Sequence, residues 1–554
     1  MGKRAVLALL ALAMAAALAL TVRWASPYTA MVQPLPEIER IWEIEDTHEL
    51  SEEPLLTALE WNGMPLVQEK RTGVFYCPIG LGYGEEWPEL KLHIPGDPGT
   101  DACFADDYAW DACGTAVAEG TAYNLLAWTK EKYCYQQIVF TGMPILSLTT
   151  GQEEIGREDV PAEAVWASPS GGLVSHARIH RRGASTMASS RPKHGYRVEF
   201  TRKADGKKKI VQDVPGLGEL HSIVLLPLFH DKWLVREKLS WEIWNQLSSP
   251  DKPFGARRLS YCEVFLDGDY RGVYLALEPF KVSDELAKKD GARVLEDSVY
   301  RTAALTFIND RKHTKHPLRP NAAYELYYAP PGGEEFAALS TYIALITEKE
   351  DEVFARNVLQ YVDVDDLLRL DLFVQAGGMT DNIFNNMYIW ADHSDGKLTY
   401  RFGPWDLDMS WGLKKDEIGE DYEYWMYFPL LDQMLDLDAG GIRTRLAERW
   451  QAYSEGPLGL ENISSIAERC AGELNDSGAM ARNAERWETE AYTSDVQEIL
   501  DFAEWRHKII DVAVEQIASA DGRVDFLTET SYKKNKGGPI PNAVERANEK
   551  GEMQ

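Results

Sequence analysis

The stretch Asp381-Asn-Ile-Phe-Asn-Asn386-Met-Tyr-Ile-Trp-Ala-Asp-His-Ser-Asp-Gly-Lys-Leu-Thr-Tyr-Arg-Phe-Gly-Pro-Trp-Asp406-Leu-Asp408 decides how this chain is read. An acid comes first, then an amide five residues later, then two short apolar runs and two more acids. Met387–Trp390 and Leu398–Phe402 read as strands, and His393-Ser-Asp-Gly396 reads as the turn that joins them. A hairpin returns the chain to its starting edge, so Asp406 and Asp408 are expected beside Asn386. Hard oxygen donors then gather at one end of a small sheet, a setting that suits Mg²⁺ or Mn²⁺ carrying phosphates.

Outward from this stretch the pattern changes character twice. Upstream, Val174–Ile179, Tyr196–Phe200, Val264–Phe265 and Val273–Leu277 read as strands. The last two are joined by Asp267-Gly-Asp269, which predicts a tight hairpin. Trp233–Leu247, Leu367–Val374 and Ile442–Trp450 carry apolar residues at helical spacing, and from about Gly440 to Ser519 the pattern is almost wholly helical. A β-rich part followed by a helical part predicts an α+β fold for 141–530. Before it, 55–140 shows short apolar runs broken by Gly, Pro and Asp, as in Gly80-Leu-Gly-Tyr-Gly84, and predicts a small all-β accessory domain that serves as a spacer or adhesion module. Residues 31–54 read as an acidic linker, and 531–554, poor in apolar residues, as a disordered tail.

Protein kinases use the same order of parts as the Asp381–Asp408 stretch. A catalytic Asp orients or deprotonates the acceptor hydroxyl, an Asn five residues on holds a metal, and an Asp after a hairpin bridges metal to phosphates. Gly403-Pro-Trp-Asp-Leu-Asp-Met-Ser-Trp-Gly412 resembles the Pro-Trp-Asp-x-Asp…Gly signature of the spore-coat-protein CotH family. Three further segments resemble that family in the right order: Arg182-Gly-Ala-Ser185 with Pro192-Lys193-His-Gly-Tyr, the run Glu263–Glu278, and Asn386-Met-Tyr-Ile. The resemblance extends over about Phe140 to Ser519. It implies an atypical protein-kinase-like two-lobe domain, with a β-rich N-lobe and a helical C-lobe, that uses ATP with Mg²⁺ or Mn²⁺.

On this resemblance Asp381 is the catalytic residue, and Asn386, Asp406 and Asp408 hold the metal. Lys193, on a strand, contacts the nucleotide phosphates. Arg182 and Ser185 lie over those phosphates in place of a Gly-rich loop. Glu278 pairs with Lys193 or contacts the nucleotide. The sequence departs from the family where His194 replaces a second lysine and where Arg236-Glu237 stands in place of Arg-Asn. It has no GxGxxG loop and no His-Arg-Asp triplet, which excludes a eukaryotic-type kinase. No helix glutamate is assigned to Lys193.

The function expected is Ser/Thr phosphoryl transfer to an exported, surface or spore-coat-type protein. A non-catalytic surface scaffold or adhesion protein on the same fold is the alternative, and a nucleotidyl or other phosphoryl transferase a weaker one. Glycosidase chemistry is set aside, because Asp406 and Asp408 face one side of a strand and lie closer than an inverting pair requires. The aromatic cluster Tyr422–Phe428 reads as a packed loop rather than a docking site.

Composition and the N-terminus set the surroundings. The 88 acidic against 58 basic residues give a net charge of −30, which repels nucleic acid and anionic lipid. Lys3 and Arg4 precede an apolar run from Ala5 to Val22, within residues 1–30 that read as an export signal or membrane anchor. The basic flank lies before the run, so the body is expected outside the cytoplasm. Cys77, Cys103, Cys113 and Cys134 lie in the first quarter, and Cys262 and Cys470 lie far apart. The first four could form two disulfides or be small buried hydrophobes.

Overall fold

The computed structural model describes residues 29–33, 36–79, 92–95, 99–105, 120, 122–183, 192–248, 254–280, 297–303, 306, 309–311, 314–330, 334–379, 381–393, 396–413, 423–528 and 536–552. The chain is a mixed α+β protein made of two compact units. The first comprises the chain through Pro227 together with Arg258–Glu278 and Glu473–Thr493; the second comprises the remainder.

The first unit is built around a closed barrel. Its strands, in order around the wall, are Ile145–Thr149, Val160–Ser168, Gly171–Arg182, Gly195–Thr201, Ser222–Leu226, Asp269–Leu277 and Leu259–Leu266. Closure comes from Ile145–Thr149 running parallel to Leu259–Leu266, with Ile145 opposite Glu263. Alternate residues fill the interior, including Ala162, Ala164 and Trp166, then Tyr196, Val198 and Phe200, then Cys262, Val264 and Leu266. This period of two is what a strand with one buried face requires.

The hairpin expected at Asp267-Gly268 is present. Leu266 pairs directly with Asp269, leaving a two-residue loop. Both loop residues have positive φ, 50° and 78°, the geometry whose twist matches the flanking strands. The helix Ala479–Trp487 packs on the Asp269–Leu277 strand. There Asn483 comes so close that a Cβ on Gly272 would lie 2.4 Å from its Oδ1. Ahead of the barrel, 29–140 forms a four-stranded and a six-stranded sheet.

One segment of that region differs from the sequence expectation. Within 31–54, read as a linker, Ile38–Thr47 is a helix. Its Ile41 and Ile44 are buried with Cys103 and Leu126. The acidic residues that suggested a linker occupy the opposite face, so composition concealed an amphipathic period.

The second unit centres on a four-stranded antiparallel sheet in the order Tyr324–Tyr328, Ser298–Thr302, Met387–Asp392, Thr399–Pro404. The helix Val364–Gly377 is buried along almost its whole length. Asp363 Oδ1 caps its start by accepting from the Asp366 backbone N–H at 3.1 Å. Gly378, with φ of 57°, ends it. Arg506, on the helix Gln497–Ala518, is fully buried and donates to the Gln375 and Tyr424 carbonyls at 2.7 and 2.8 Å. Tyr424–Met426 is a buried strand, so the aromatic cluster is packed; Tyr422 lies outside the described residues.

The disordered tail expected over 531–554 is corrected for 536–552, while 531–535 and 553–554 lie outside the described residues. Lys536–Pro539 forms a strand antiparallel to Tyr424–Met426, and Ala543–Glu552 forms a helix against Gln497–Ala518. Three apolar side chains, Ile540, Ala543 and Ala547, are buried there. Low apolar content misled because a segment that adds a strand and covers an existing helix needs few anchors. No helix among the described residues is long and apolar enough to cross a membrane, and the run 5–22 lies outside them.

Candidate metal centre

The hairpin Met387–Asp392 with Thr399–Pro404 pairs Met387 with Pro404, which brings the residues before and after it together. The Trp405 N–H donates to the Asn386 carbonyl at 2.8 Å. Asn382 Nδ2 ties the same two turns by donating to the Trp405 carbonyl at 3.0 Å and the Asn386 carbonyl at 3.3 Å. Asp381 Oδ2 accepts from Asn386 Nδ2 at 2.9 Å and from Asn385 Nδ2 at 3.3 Å. The amide of Asn386 is thereby oriented by the acid that precedes it.

The backbone here is unusual. Ile383, Asn386, Asp406 and Trp411 all have φ between 49° and 75°. A non-glycine residue in that region costs on the order of 1–3 kcal/mol, and such residues cluster where a site over-determines the chain. The Trp411 N–H, donating to the Gly377 carbonyl at 2.7 Å, ties the acidic turn to the end of the Val364–Gly377 helix.

A third carboxylate joins the two acids after the hairpin. Glu237, in the first turn of the helix Arg236–Leu247, offers an oxygen that lies with those of Asp406 and Asp408, all within 4.8 Å of one another. Glu237 is buried, Asp408 half-buried and Asp406 exposed. Trp241 Nε1 donates to Glu237 Oε1 at 2.8 Å. Burial, then the charges of Asp408 and Asp406, holds the Glu237 carboxyl well above the usual range. Burial, then the charges of Asp406, Asp381 and Asp231, pushes Asp408 up to about 8.

Asp231 and Arg236 anchor this helix start. Asp231 Oδ2 accepts from the Val235 and Arg236 N–H groups, each at 2.8 Å, and Oδ1 pairs with Arg236 Nη1 at 2.5 Å. Arg236 Nε donates to the Trp411 carbonyl at 3.2 Å. Mutually repelling carboxylates, one of them fully buried, near the oriented Asn386 amide form the donor set of a hard divalent cation. The residues fit such an ion.

The nucleotide residues assigned from the sequence belong to the barrel unit and are differently placed. Lys193 is not on a strand but precedes the strand Gly195–Thr201, and it is 2% exposed. Its ammonium donates to the Val273 carbonyl at 2.5 Å and to Asn483 Oδ1 at 2.9 Å, above the Tyr274 ring. Burial lowers its pKa to about 7. Glu278 is gripped by Arg258, Nε to Oε2 at 3.0 Å and Nη2 to Oε1 at 2.9 Å, and this corrects its expected pairing with Lys193. Arg182 ends the strand Gly171–Arg182, and Ser185 lies outside the described residues.

Sequence reading brought Asp381, Asn386, Asp406 and Asp408 to one place and missed Glu237. Its signal was present as the departure at Arg236-Glu237, but the distance of 169 positions to Asp406 hid the contact.

Barrel, buried helices and acid-bearing hairpin together define an α+β protein with a carboxylate–amide cluster fitted for a cation. A family model described as CotH kinase protein matches residues 179–510. That is more than half of the chain, and the protein belongs to the CotH family. No curated protein matches it.

Proposed function

We propose that the chain is an atypical, ATP- and metal-dependent protein kinase acting outside the cytoplasm on Ser or Thr of an exported, surface or coat-type protein. The observation that carries this reading is the convergence of Asp381, Asn386, Asp406 and Asp408 on one hairpin base. On this reading the barrel unit and the helix-rich unit are the two lobes of a kinase-like fold. Asn386, Asp406 and Asp408 hold Mg²⁺ or Mn²⁺, which when bound neutralises charge on the transferring phosphoryl group. Asp381 orients the acceptor hydroxyl and takes its proton as the new O–P bond forms and the bond to the leaving diphosphate breaks. Arg182, Ser185, Lys193 and Glu278 are the nucleotide contacts. For Lys193 to reach a phosphate, its ammonium must leave the Val273 carbonyl and Asn483.

That engagement of Lys193 favours the second reading, a non-catalytic scaffold or adhesion protein in which the acidic cluster is structural. The test is ATP binding and autophosphorylation of the full chain with Mg²⁺ or Mn²⁺, beside Asp406→Ala and Lys193→Ala. Labelling by wild type and its loss in both variants, each shown folded by circular dichroism, supports the kinase. A folded wild type that neither binds nucleotide nor labels leaves the scaffold.

A further inference from the structure

Among the described residues, Glu237, Asp406 and Asp408 are the one group of three acidic, His or Cys side chains with ligand atoms within 4.8 Å of one another. Acidic clusters are common on protein surfaces, and this one is distinguished by Glu237. The residue is 2% exposed. One carboxylate oxygen accepts from Trp241, and Oε2 is buried with no partner in hydrogen-bonding geometry; the Leu407 backbone N–H is another donor that acts on the carboxyl. A buried carboxylate with an incomplete set of donors loses hydration that something positive must replace. Lys232, Arg236 and Lys238, the basic residues on the same stretch, pair with other acids, Lys232 with Glu498, Arg236 with Asp231 and Lys238 with Glu242. Two carboxylates of like charge face Glu237 instead.

We propose that Glu237 is a direct ligand, through Oε2, of a hard divalent cation shared with Asp406 and Asp408, and that this cation binds before and without nucleotide. The inference rests on the metal reading above and deepens it. Where an amide and one or two acids hold a cation, phosphate oxygens complete its neutralisation. Three carboxylates carry enough negative charge to retain the ion unaided, with waters filling the other positions of an octahedral Mg²⁺ or Mn²⁺. Ligand type also sets the preference: three carboxylates favour Mg²⁺, Mn²⁺ or Ca²⁺ over zinc or copper.

The experiment is Mn²⁺ titration of the full chain without nucleotide, followed by the free-ion electron paramagnetic resonance signal, for wild type, Glu237→Gln and Asp406→Asn. Gln keeps the volume and an acceptor for Trp241, so the fold is retained. Tb³⁺ provides the positional readout, because Trp241 touches Glu237 and its ring lies 6.1 Å from that of Trp405. Bound Tb³⁺ should therefore emit on tryptophan excitation. The expected result is nucleotide-free uptake of Mn²⁺ by wild type and a loss of affinity of about tenfold or more in both variants. Unchanged affinity in Glu237→Gln with loss in Asp406→Asn overturns the role of Glu237 and leaves the kinase reading standing. Uptake only after ATP is added overturns nucleotide-independent binding and also leaves that reading intact. No uptake with or without ATP overturns both.

Discussion

Asp408 illustrates how a site residue works against the fold that holds it. Its carboxyl is shifted from an ordinary 3.8 to about 8, by burial and then by Asp406, Asp381 and Asp231. A raised acid is bound to its proton in the folded state over a range where the unfolded chain has released it. Stability from this residue is therefore full below about pH 4 and drains as pH rises to about 8. Asp408→Asn removes that slope. In the presence of a chelator, the variant should be more stable than wild type at pH 8 by about 1–2 kcal/mol, a figure reduced because the carboxylate is partly exposed. Near pH 4 the two should coincide. Urea midpoints at both pH values measure this, and a constant offset across the range would show that proton binding at Asp408 is not the cause. On the proposed metal reading, added Mg²⁺ should stabilise wild type at pH 8 and leave Asp408→Asn nearly unmoved, since the variant would lack one of the proposed ligands.

At the level of elements, legibility in the sequence followed the range of the interactions. The hairpins at Asp267-Gly268 and around His393–Gly396 were readable because turn chemistry and period-two alternation are written within a dozen residues. The same locality made Asp381, Asn386, Asp406 and Asp408 visible as a set. Glu237 was not visible, because a helix far upstream delivers it. Barrel closure was also hidden, because it depends on Ile145–Thr149 meeting Leu259–Leu266 in parallel. Lys193 shows the same limit in another form. Its motif placed it on a strand, whereas it precedes one, and its burial and its hold on Asn483 are tertiary facts. The C-terminal segment gives a direct test of a local reading that failed. Ile540 is 3% exposed, and its N–H donates to the Glu423 carbonyl at 3.0 Å. Ile540→Ala should cost about 2–4 kcal/mol, as for other buried isoleucines. A disordered tail would leave the unfolding midpoint within about 0.5 kcal/mol of wild type, and that outcome would return 531–554 to a solvated appendage.

Across the whole molecule, the cysteines connect the fold to the proposed location. Cys77, Cys103, Cys134 and Cys262 lie in the first unit and Cys470 in the second, all buried, and no disulfide forms among the described residues. Burial pushes the Cys77 thiol up to about 12 and Cys103 to about 11, and raises Cys134 and Cys262 as well. A thiol held so far above neutrality supplies almost no thiolate, the species that attacks a disulfide or an oxidant. Three of the four cysteines in the choice left open by the sequence, Cys77, Cys103 and Cys134, are buried hydrophobes in the structure, with Cys77 and Cys134 in one apolar core with Phe75, Leu125 and Phe140; Cys113 lies outside the described residues. A chain of this size has enough core to dispense with cross-links, whereas small secreted domains do not. An extracytoplasmic position then needs no disulfide for stability, only thiols shielded from oxidation. Two measurements check this on the full chain. The urea midpoint should be the same with and without dithiothreitol, and iodoacetamide should modify Cys77, Cys103, Cys134, Cys262 and Cys470 only after unfolding, without prior reduction. A structural disulfide would instead show as a reductant-dependent loss of about 2–5 kcal/mol and as cysteines that resist alkylation until reduced.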